Sequence, residues 1–306
     1  MVEHPRLGTR GSPLALAQAR KVAAALEVAQ RWEATHIEII TIKTSGDKVK
    51  DRPLAEIGGK GLWTKELDAA LLGGRIDFAV HSMKDVESER PKTIRLAVVR
   101  PRGDARERLI GADSLDAIKN GATFGTSSPR RAAQLLAIRP DLKIVPLRGN
   151  VETRLEKVQR GEVDATLLSS AGLRRLGLAN VGTPIPVDVL LPAPGQAAIG
   201  IECRSDDDMT SRMLQTIDDA TTHVAVAAER AFTRALGASC SSPVAAMATL
   251  EGGKLRLRAE LYSTDGAHKV EDQALFACWD MKAPAELARS MLERAPEPVR
   301  RLFAGA

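Results

Sequence analysis

The chain contains the segment Gly74-Arg75-Ile76-Asp77-Phe78-Ala79-Val80-His81-Ser82, and a degenerate copy stands at Gly161-Glu162-Val163-Asp164-Ala165-Thr166-Leu167-Leu168-Ser169. Each copy has a glycine, an aspartate, a short apolar run typical of a buried strand, and a serine five residues after the aspartate. Helix starts recur as well, because Ser12-Pro13 and Ser128-Pro129 each follow an apolar stretch. The copies predict two similar α/β domains that face each other; the alternative is that common turn chemistry simply recurs.

Short apolar runs alternate with amphipathic helices around both copies. The predicted strands cover residues 37–42, 77–80, 94–99 and 165–168. The predicted helices cover residues 12–31, 63–72, 129–138 and 151–159. Strand and helix in turn indicate mostly parallel sheets with helices on both faces.

The pattern changes after residue 202. A helix is predicted at 221–236, with Thr221 or Thr222 as its cap, and a closing helix at 283–294. Between them, strands at 244–250, 255–262 and 270–276 are separated by turns that contain glycine, which predicts a three-stranded antiparallel sheet in an α+β domain. We therefore expect domain 1 at residues 1–99 and 198–216, domain 2 at 104–193 and domain 3 at 217–306.

Composition bounds the class of protein. The sequence has 306 residues, 44% of them hydrophobic, and a net charge of +5. Runs of about 18 apolar residues are absent, which argues against a membrane span. Basic residues are spread along the chain and aromatic residues make up only 3%, so nucleic acid is not the expected partner. A basic cleft for a small polyanion fits at least as well.

Cysteine usage and the N-terminal sequence indicate the compartment. The three cysteines are an odd number without metal-type spacing, which argues against a disulfide framework and a metal site. The first residues lack the apolar core of a secretory signal, so we expect a cytoplasmic protein. Cys203 and Cys278 lie in apolar settings that predict core positions, whereas Cys240 follows Gly237-Ala238-Ser239 and is expected to be accessible.

The segment Thr126-Ser127-Ser128-Pro129-Arg130-Arg131 predicts an anion clamp. Ser128 and Pro129 are a typical helix start, and arginines in a first turn oppose the helix dipole. Their presence there indicates a partner outside the helix. Free N–H groups, hydroxyls and two guanidinium forks together form a receptor for carboxylate or phosphate.

Further arginines stand near the ends of predicted elements, where open α/β sheets bind ligands. They are Arg10, Arg148, Arg154 and Arg175. His81-Ser82-Met83-Lys84-Asp85 follows a strand directly, and its carboxylate and amine suit proton transfer and anion contact; an ordinary polar loop is the alternative. Gly58-Gly59-Lys60-Gly61-Leu62-Trp63 predicts a mobile loop and lacks the spacing of a phosphate loop.

These motifs, in this order, resemble the porphobilinogen deaminase family, also called hydroxymethylbilane synthases, over essentially the whole chain. The matching segments are 9–15, 58–62, 80–85, 125–131, 147–150, 153–155, 171–177, 195–196 and 200–202. The resemblance implies two periplasmic-binding-protein-like (type II) α/β domains plus a small C-terminal α+β domain. It also implies a transferase that joins four porphobilinogen molecules head to tail, with loss of ammonia, to give hydroxymethylbilane in tetrapyrrole (haem and porphyrin) biosynthesis.

The resemblance further implies a dipyrromethane cofactor in thioether linkage to Cys240, Asp85 as the catalytic carboxylate, and a monomeric enzyme. Positions that match cofactor or substrate contacts are Arg10, Ser12, Lys84, Thr126, Ser127, Ser128, Arg130, Arg131, Arg148, Gly149, Arg154 and Arg175. Gly58, Gly59, Lys60 and Trp63 match the flexible loop, where Trp63 replaces a common phenylalanine. A cytoplasmic two-domain protein that binds or senses a small anion is the alternative, and it needs no thiol.

Overall fold

The computed structural model describes residues 4–48, 62–239 and 241–303. The strands are β1 Arg6–Arg10, β2 Glu38–Ile42, β3 Phe78–Ser82, β4 Ile94–Val99, β5 Glu107–Ile110, β6 Thr123–Gly125, β7 Lys143–Val145, β8 Ala165–Ser169, β9 Thr183–Ile185, β10 Ile199–Arg204, β11 Val244–Glu251, β12 Lys254–Tyr262 and β13 Lys269–Ala277. The helices are α1 Pro13–Gln30, α2 Ser45–Lys48, α3 Lys65–Leu72, α4 Pro129–Ile138, α5 Val151–Gln159, α6 Ser170–Arg175, α7 Asp208–Gln215, α8 Ala220–Ala235, α9 Ala283–Arg294 and α10 Glu297–Arg300. A 3-10 turn, Met83–Asp85, follows β3.

Two five-stranded sheets share one topology. Their strand orders are β2-β1-β3-β10-β4 and β7-β6-β8-β5-β9. In the first sheet β1 runs parallel to β2 and β3, while β10 runs antiparallel to β3 and β4. The second sheet repeats this, with β6 parallel to β7 and β8, and β5 antiparallel to β8 and β9.

The prediction of mostly parallel sheets is therefore wrong for half of the pairings. Strands β5 and β10 each enter a sheet through a segment that crosses from the other sheet, at residues 100–106 and 186–198. Parallel neighbours arise from strand–helix–strand crossovers on one sheet, and a strand that arrives from elsewhere has no such constraint.

The sequence repeat is a structural repeat. Asp77 Oδ2 accepts a hydrogen bond from the backbone N of Arg6 at 2.8 Å, and Asp164 Oδ2 accepts one from the backbone N of Thr123 at 2.7 Å. Each aspartate thus anchors the start of the parallel strand beside it, at equivalent places in the two sheets. This common bonding favours two similar domains over a chance recurrence of turns.

Helix starts follow the predicted chemistry with one correction. Ser12 Oγ accepts from Ala15 N at 3.2 Å, and helices α4, α5 and α9 have the predicted bounds. The prediction of Thr221 or Thr222 as a cap is wrong, because α8 begins at Ala220 and Asp219 accepts from Thr222 N at 2.8 Å. Aspartate is the stronger N-cap acceptor of the available residues.

The third, C-terminal domain is the expected antiparallel sheet, order β11-β12-β13, covered by α8 and α9. Phe232 and Leu255 are fully buried in its core.

Cys203 is buried in the first domain as predicted, but Cys278 is only half-buried at the end of β13, where its Sγ donates to Gly253 O. The exact domain limits stay a prediction. Among the residues the structure describes, no helix has the length and apolarity needed to cross a membrane.

A buried carboxylate connects all three domains. Glu229 on α8 is fully buried and accepts from Arg102 Nη2 and Gly195 N, both at 2.7 Å, and from Ala248 N at 2.8 Å. Arg102 and Gly195 lie in the two segments that cross between the α/β sheets, and Ala248 lies in β11. One side chain therefore binds both crossings and the C-terminal sheet.

Candidate active site

Asp85 is held at the carboxyl end of β3 by the residue two positions before it. The Met83 side chain is buried, and Met83 N donates to Ala198 O at 3.1 Å. The 3-10 turn that follows leaves Asp85 half-buried on the wall of a cavity of about 50 Å³. A strand end in the first α/β domain thus presents a carboxylate to a cleft.

The same cavity contains several residues predicted from the sequence. Arg10 and Ser12, at the end of β1 and the start of α1, line it together with Trp63. Arg10 stacks on Trp63, with 3.8 Å between the guanidinium carbon and the ring centroid. Gln18, which the sequence analysis did not select, also lines the cavity and exchanges a hydrogen bond with Ser82 Oγ.

The arginine pair at the start of α4 binds a buried glutamate. Glu107 is fully buried in β5. Its carboxylate accepts hydrogen bonds from Nε and Nη2 of Arg131, at 2.9 and 2.7 Å, and from Nη2 of Arg130, at 2.6 Å. Burial raises the pKa of Glu107, but Arg131 and Arg130 outweigh it and hold that pKa far below its usual range. The glutamate is therefore ionised and joins both guanidinium groups to the sheet.

The anion clamp at this helix start stays a prediction, and both of its guanidinium groups have partners within the protein. Arg130 also donates through Nη1 to Gln134 Oε1 and Leu191 O, and Arg131 donates through Nη1 to Leu167 O. The pair does lie against partners outside its own helix, as the opposed dipole indicated. Arg131 keeps two of its five N–H donors for other partners.

The hydroxyls of the preceding turn are also engaged. Thr126 Oγ1 accepts from Ser128 N at 3.1 Å, Ser127 Oγ donates to Leu147 O at 3.1 Å, and Ser128 Oγ accepts from Arg131 N at 3.4 Å. These bonds fix the turn in one conformation beside the arginine pair.

Arg154 belongs to the same charged group. Its Nε donates to the carbonyl of Gly149, a residue whose φ of +116° explains the glycine. The pKa of Arg154 is lowered to about 10, mainly by burial and also by the charges of Arg131 and Arg148, while Asp85 acts in the opposite direction. The charge of Asp85, in the first domain, therefore acts on Arg154 in the second.

Lys84 lies at the centre of these charges. The pKa of Lys84 is lowered to about 8, mainly by burial and also by the charge of Arg131, while Asp85 and Glu107 act in the opposite direction. The loop after β3 and the start of α4 thus converge on one site, although they are far apart in sequence.

Arg175 has a different setting. Its Nη2 donates to Ala197 O at 2.5 Å in the second crossing segment, and burial lowers its pKa to about 10. Ala197 has a φ of +67°, so the backbone there is in the left-handed region. Arg175 therefore holds the crossing between the two α/β domains.

Cationic groups outnumber carboxylates at the site. Among the described residues, Lys84, Arg130, Arg131, Arg148 and Arg154 are five cationic groups near three carboxylates, Asp85, Glu107 and Glu260. In addition, Nε of Arg130 is buried and has no hydrogen-bond partner among the described residues. Buried charge without enough counter-charge is costly, so the arrangement fits an incoming group with several carboxylates.

Sequence reasoning missed Glu107, since one glutamate among many exposed ones carries no signal of burial. Four predicted residues cannot be placed, because Cys240, Gly58, Gly59 and Lys60 lie outside the described residues.

Fold and site define a class: a protein of two α/β domains and a small α+β domain, with a lysine and several arginines near the carboxylate of Asp85. The chain belongs to the porphobilinogen deaminase family. The family description "Porphobilinogen deaminase, dipyromethane cofactor binding domain" matches residues 6–212, and "Porphobilinogen deaminase, C-terminal domain" matches residues 223–295.

Relatives with similar sequences are named as porphobilinogen deaminases. The chain is 51% identical to a porphobilinogen deaminase of Sphingopyxis alaskensis, over 98% of this chain and 96% of the relative. It is 48% identical to that of Nitrobacter winogradskyi, again over 98% and 96%. A periplasmic substrate-binding protein of an ABC transporter from Coxiella burnetii is similar at a TM-score of 0.42 and 20% identity, over 70% of this chain and 90% of that one. The resemblance seen in the sequence is thereby confirmed, and the alternative of a sensing protein is not supported.

Proposed function

We propose that this protein is a porphobilinogen deaminase that joins four porphobilinogen molecules head to tail, releases one ammonia at each step, and yields hydroxymethylbilane. The observation that carries the proposal is the group of cations, Lys84, Arg131 and Arg154, around the half-buried carboxylate of Asp85. Each pyrrole unit carries an acetate and a propionate, so a growing chain is a polyanion that needs many such donors.

Asp85 acts on the reacting carbon in this proposal. Loss of ammonia from the protonated aminomethyl group breaks the C–N bond and leaves the positive charge on the methylene carbon, shared with the pyrrole nitrogen. A carboxylate fixed beside the pyrrole stabilises the charge at this position more than it stabilises the charge on the departing ammonium group. Attack by the next pyrrole carbon forms the C–C bond and releases a proton, for which Asp85 is a base within the same cleft.

The residues present fit a dipyrromethane cofactor. Lys84, Arg131 and the unpartnered Nε of Arg130 offer donors to its carboxylates, beside the rigid turn of Thr126, Ser127 and Ser128. When bound, the cofactor supplies the pyrrole carbon on which the chain is built. We assign its thioether attachment to Cys240. We assign Arg10, Ser12, Arg148, Gly149, Arg154 and Arg175 to the acidic side chains of cofactor and substrate.

The experiment that tests the proposal combines product formation with intact mass. The purified chain should convert porphobilinogen to hydroxymethylbilane, carry the added mass of one dipyrromethane and stain with Ehrlich's reagent. Cys240→Ser should lose both the added mass and the activity. An active chain whose mass equals that of the bare sequence would contradict the attachment.

The role of Asp85 has its own test. Asp85→Asn should keep the fold and lower turnover by about 100-fold or more, since it removes charge stabilisation and the base. Asp104→Asn, in an exposed pair with Arg106, is the matched control and should leave turnover unchanged. Normal turnover in Asp85→Asn would refute the assignment.

We further propose that the enzyme is a cytoplasmic monomer that binds no nucleic acid. The support is that Cys203 and Cys278 are free thiols, as is usual in a reducing compartment. Cell fractionation, light scattering and a nucleic-acid binding assay test the three statements.

A further inference from the structure

The indole of Trp63 covers one face of the Arg10 guanidinium. Arg10 ends β1, Trp63 lies just before α3, and the guanidinium carbon is 3.8 Å from the ring centroid. A guanidinium within about 6 Å of an aromatic centroid is attracted to the ring by its negative face. The two residues lie 53 positions apart, so only the folded chain brings them into this stack.

Gly46 leaves the space that the indole of Trp63 occupies. A Cβ added at Gly46 would lie 2.2 Å from Cζ3 of Trp63, so only a glycine permits the ring to lie against this backbone. Gly46 N donates to Leu62 O at 3.3 Å, and Ser45 N donates to Glu66 Oε1 at 2.9 Å. These bonds hold α2 against the segment that carries Trp63. The ring is therefore fixed between the Gly46 backbone and the Arg10 guanidinium.

The stack borders the reaction cleft. Arg10, Ser12, Trp63 and Asp85 line one cavity. The ring contacts the face of the guanidinium, whereas a carboxylate binds the N–H edge, which lies in the plane of the group. Stacking and carboxylate binding use different parts of Arg10 and so do not compete.

We propose that Trp63 is a positioning residue. It stacks on Arg10, in a space that exists because Gly46 has no side chain, and it directs the Arg10 guanidinium toward a carboxylate of the substrate chain. This inference rests on the proposed function for the identity of that carboxylate. Trp63 itself need not touch the substrate.

The first test is a double-mutant cycle in the complete enzyme. Trp63→Leu should raise KM for porphobilinogen about 3- to 10-fold, with a smaller effect on kcat, and Trp63→Phe should retain most of the affinity because a phenyl ring still attracts a cation. In an Arg10→Gln background, Trp63→Leu should add less than about 2-fold. Equal effects of Trp63→Leu in both backgrounds would overturn the proposal.

Gly46→Ala provides a second variant that alters neither member of the stack. The φ of Gly46 lies outside the left-handed region, so alanine adds no backbone strain, but its methyl group displaces the indole. It should reproduce the rise in KM of Trp63→Leu. A Gly46→Ala enzyme with the KM of the parent would contradict the claim that Gly46 leaves the space for the indole.

Fluorescence separates this inference from the proposed function. In a chain with Trp32→Phe and Trp279→Phe, Arg10→Gln should change the emission of Trp63, and Arg20→Gln, at an exposed position of α1, should not. Unchanged emission in Arg10→Gln would overturn the stack whatever the activity. A response to Arg10→Gln in a chain that makes no hydroxymethylbilane would support the stack and refute the proposed function.

Discussion

At the scale of the residue, Glu107 accounts for the two arginines at the start of α4. Cations are unfavourable at a helix N-terminus, yet Arg130 and Arg131 both stand there. The buried carboxylate of Glu107 binds both, which offsets the dipole and orders the pair before any ligand arrives. No sequence pattern showed this glutamate, because its burial depends on the partner strands of β5.

Glu107→Gln should destabilise the protein by about 3–5 kcal/mol, since it leaves two buried guanidinium groups without their counter-charge. Urea unfolding measures the loss. Glu156→Gln, which breaks an exposed pair with Arg160, is the control and should cost no more than about 0.5 kcal/mol. Similar losses in the two variants would show that Glu107 has no special role.

The lowered pKa of Lys84 leads us to expect that anion binding depends on pH. Burial lowers the pKa of Lys84 to about 8, so the group is protonated below that pH and loses its proton above it. Affinity for a polycarboxylate should therefore be highest below pH 8 and fall as pH rises through 8, and binding near pH 8 should take up a proton. Titration calorimetry of a dipyrromethane carboxylate with the Cys240→Ser chain, in buffers of different ionisation enthalpy, measures both effects.

Lys84→Arg is the control for this prediction. A guanidinium stays protonated throughout the range, so both the fall in affinity and the proton uptake near pH 8 should disappear. A wild-type affinity that stays constant between pH 7 and 9 would contradict the role of Lys84.

At the scale of the element, the segments with the clearest apolar pattern were predicted most accurately. Strand β4 and helices α4, α5 and α9 have the predicted bounds, since their apolar periodicity is strong. Strands β1, β5, β6, β7, β9 and β10 were not predicted as strands. Four of these are only three or four residues long, too short for a periodic signal, and they form because a neighbouring strand supplies hydrogen bonds.

The two equivalent aspartates should differ in their contribution to stability. Asp77 is buried and also binds the Arg6 guanidinium, whereas Asp164 is exposed. Asp77→Ala should cost about 2–3 kcal/mol and Asp164→Ala about 1 kcal/mol, because a buried charged partner is lost only in the first. Urea unfolding gives the two losses, and hydrogen exchange at Arg6 and Thr123 locates them. Equal losses of stability in the two variants would contradict the claim that the buried aspartate contributes more than the exposed one.

At the scale of the whole molecule, Glu229 couples the three domains. It accepts hydrogen bonds from both crossing segments and from β11, so it joins the two connections between the α/β domains to the C-terminal domain. Arg175 holds the second crossing from the other side, through Ala197 O.

Glu229→Gln should reduce stability by about 3–5 kcal/mol, since an amide removes the charge opposite Arg102 and turns a donor toward backbone N–H groups. Scanning calorimetry should show unfolding that splits into more than one transition. Glu251→Gln, in an exposed pair with Arg256, is the matched control. A single transition at the parent temperature in Glu229→Gln would contradict the coupling.

The sequence by itself determined the class of fold, the family and the residue types of the site, because periodicity, caps and motif order are local properties of the chain. Tertiary structure decided the rest. The antiparallel entry of β5 and β10, the burial of Glu107 and Glu229, the lowered pKa of Lys84 and the stack of Arg10 on Trp63 all depend on residues distant in sequence. Burial and electrostatic interactions act through space, so they are fixed only when the chain has folded.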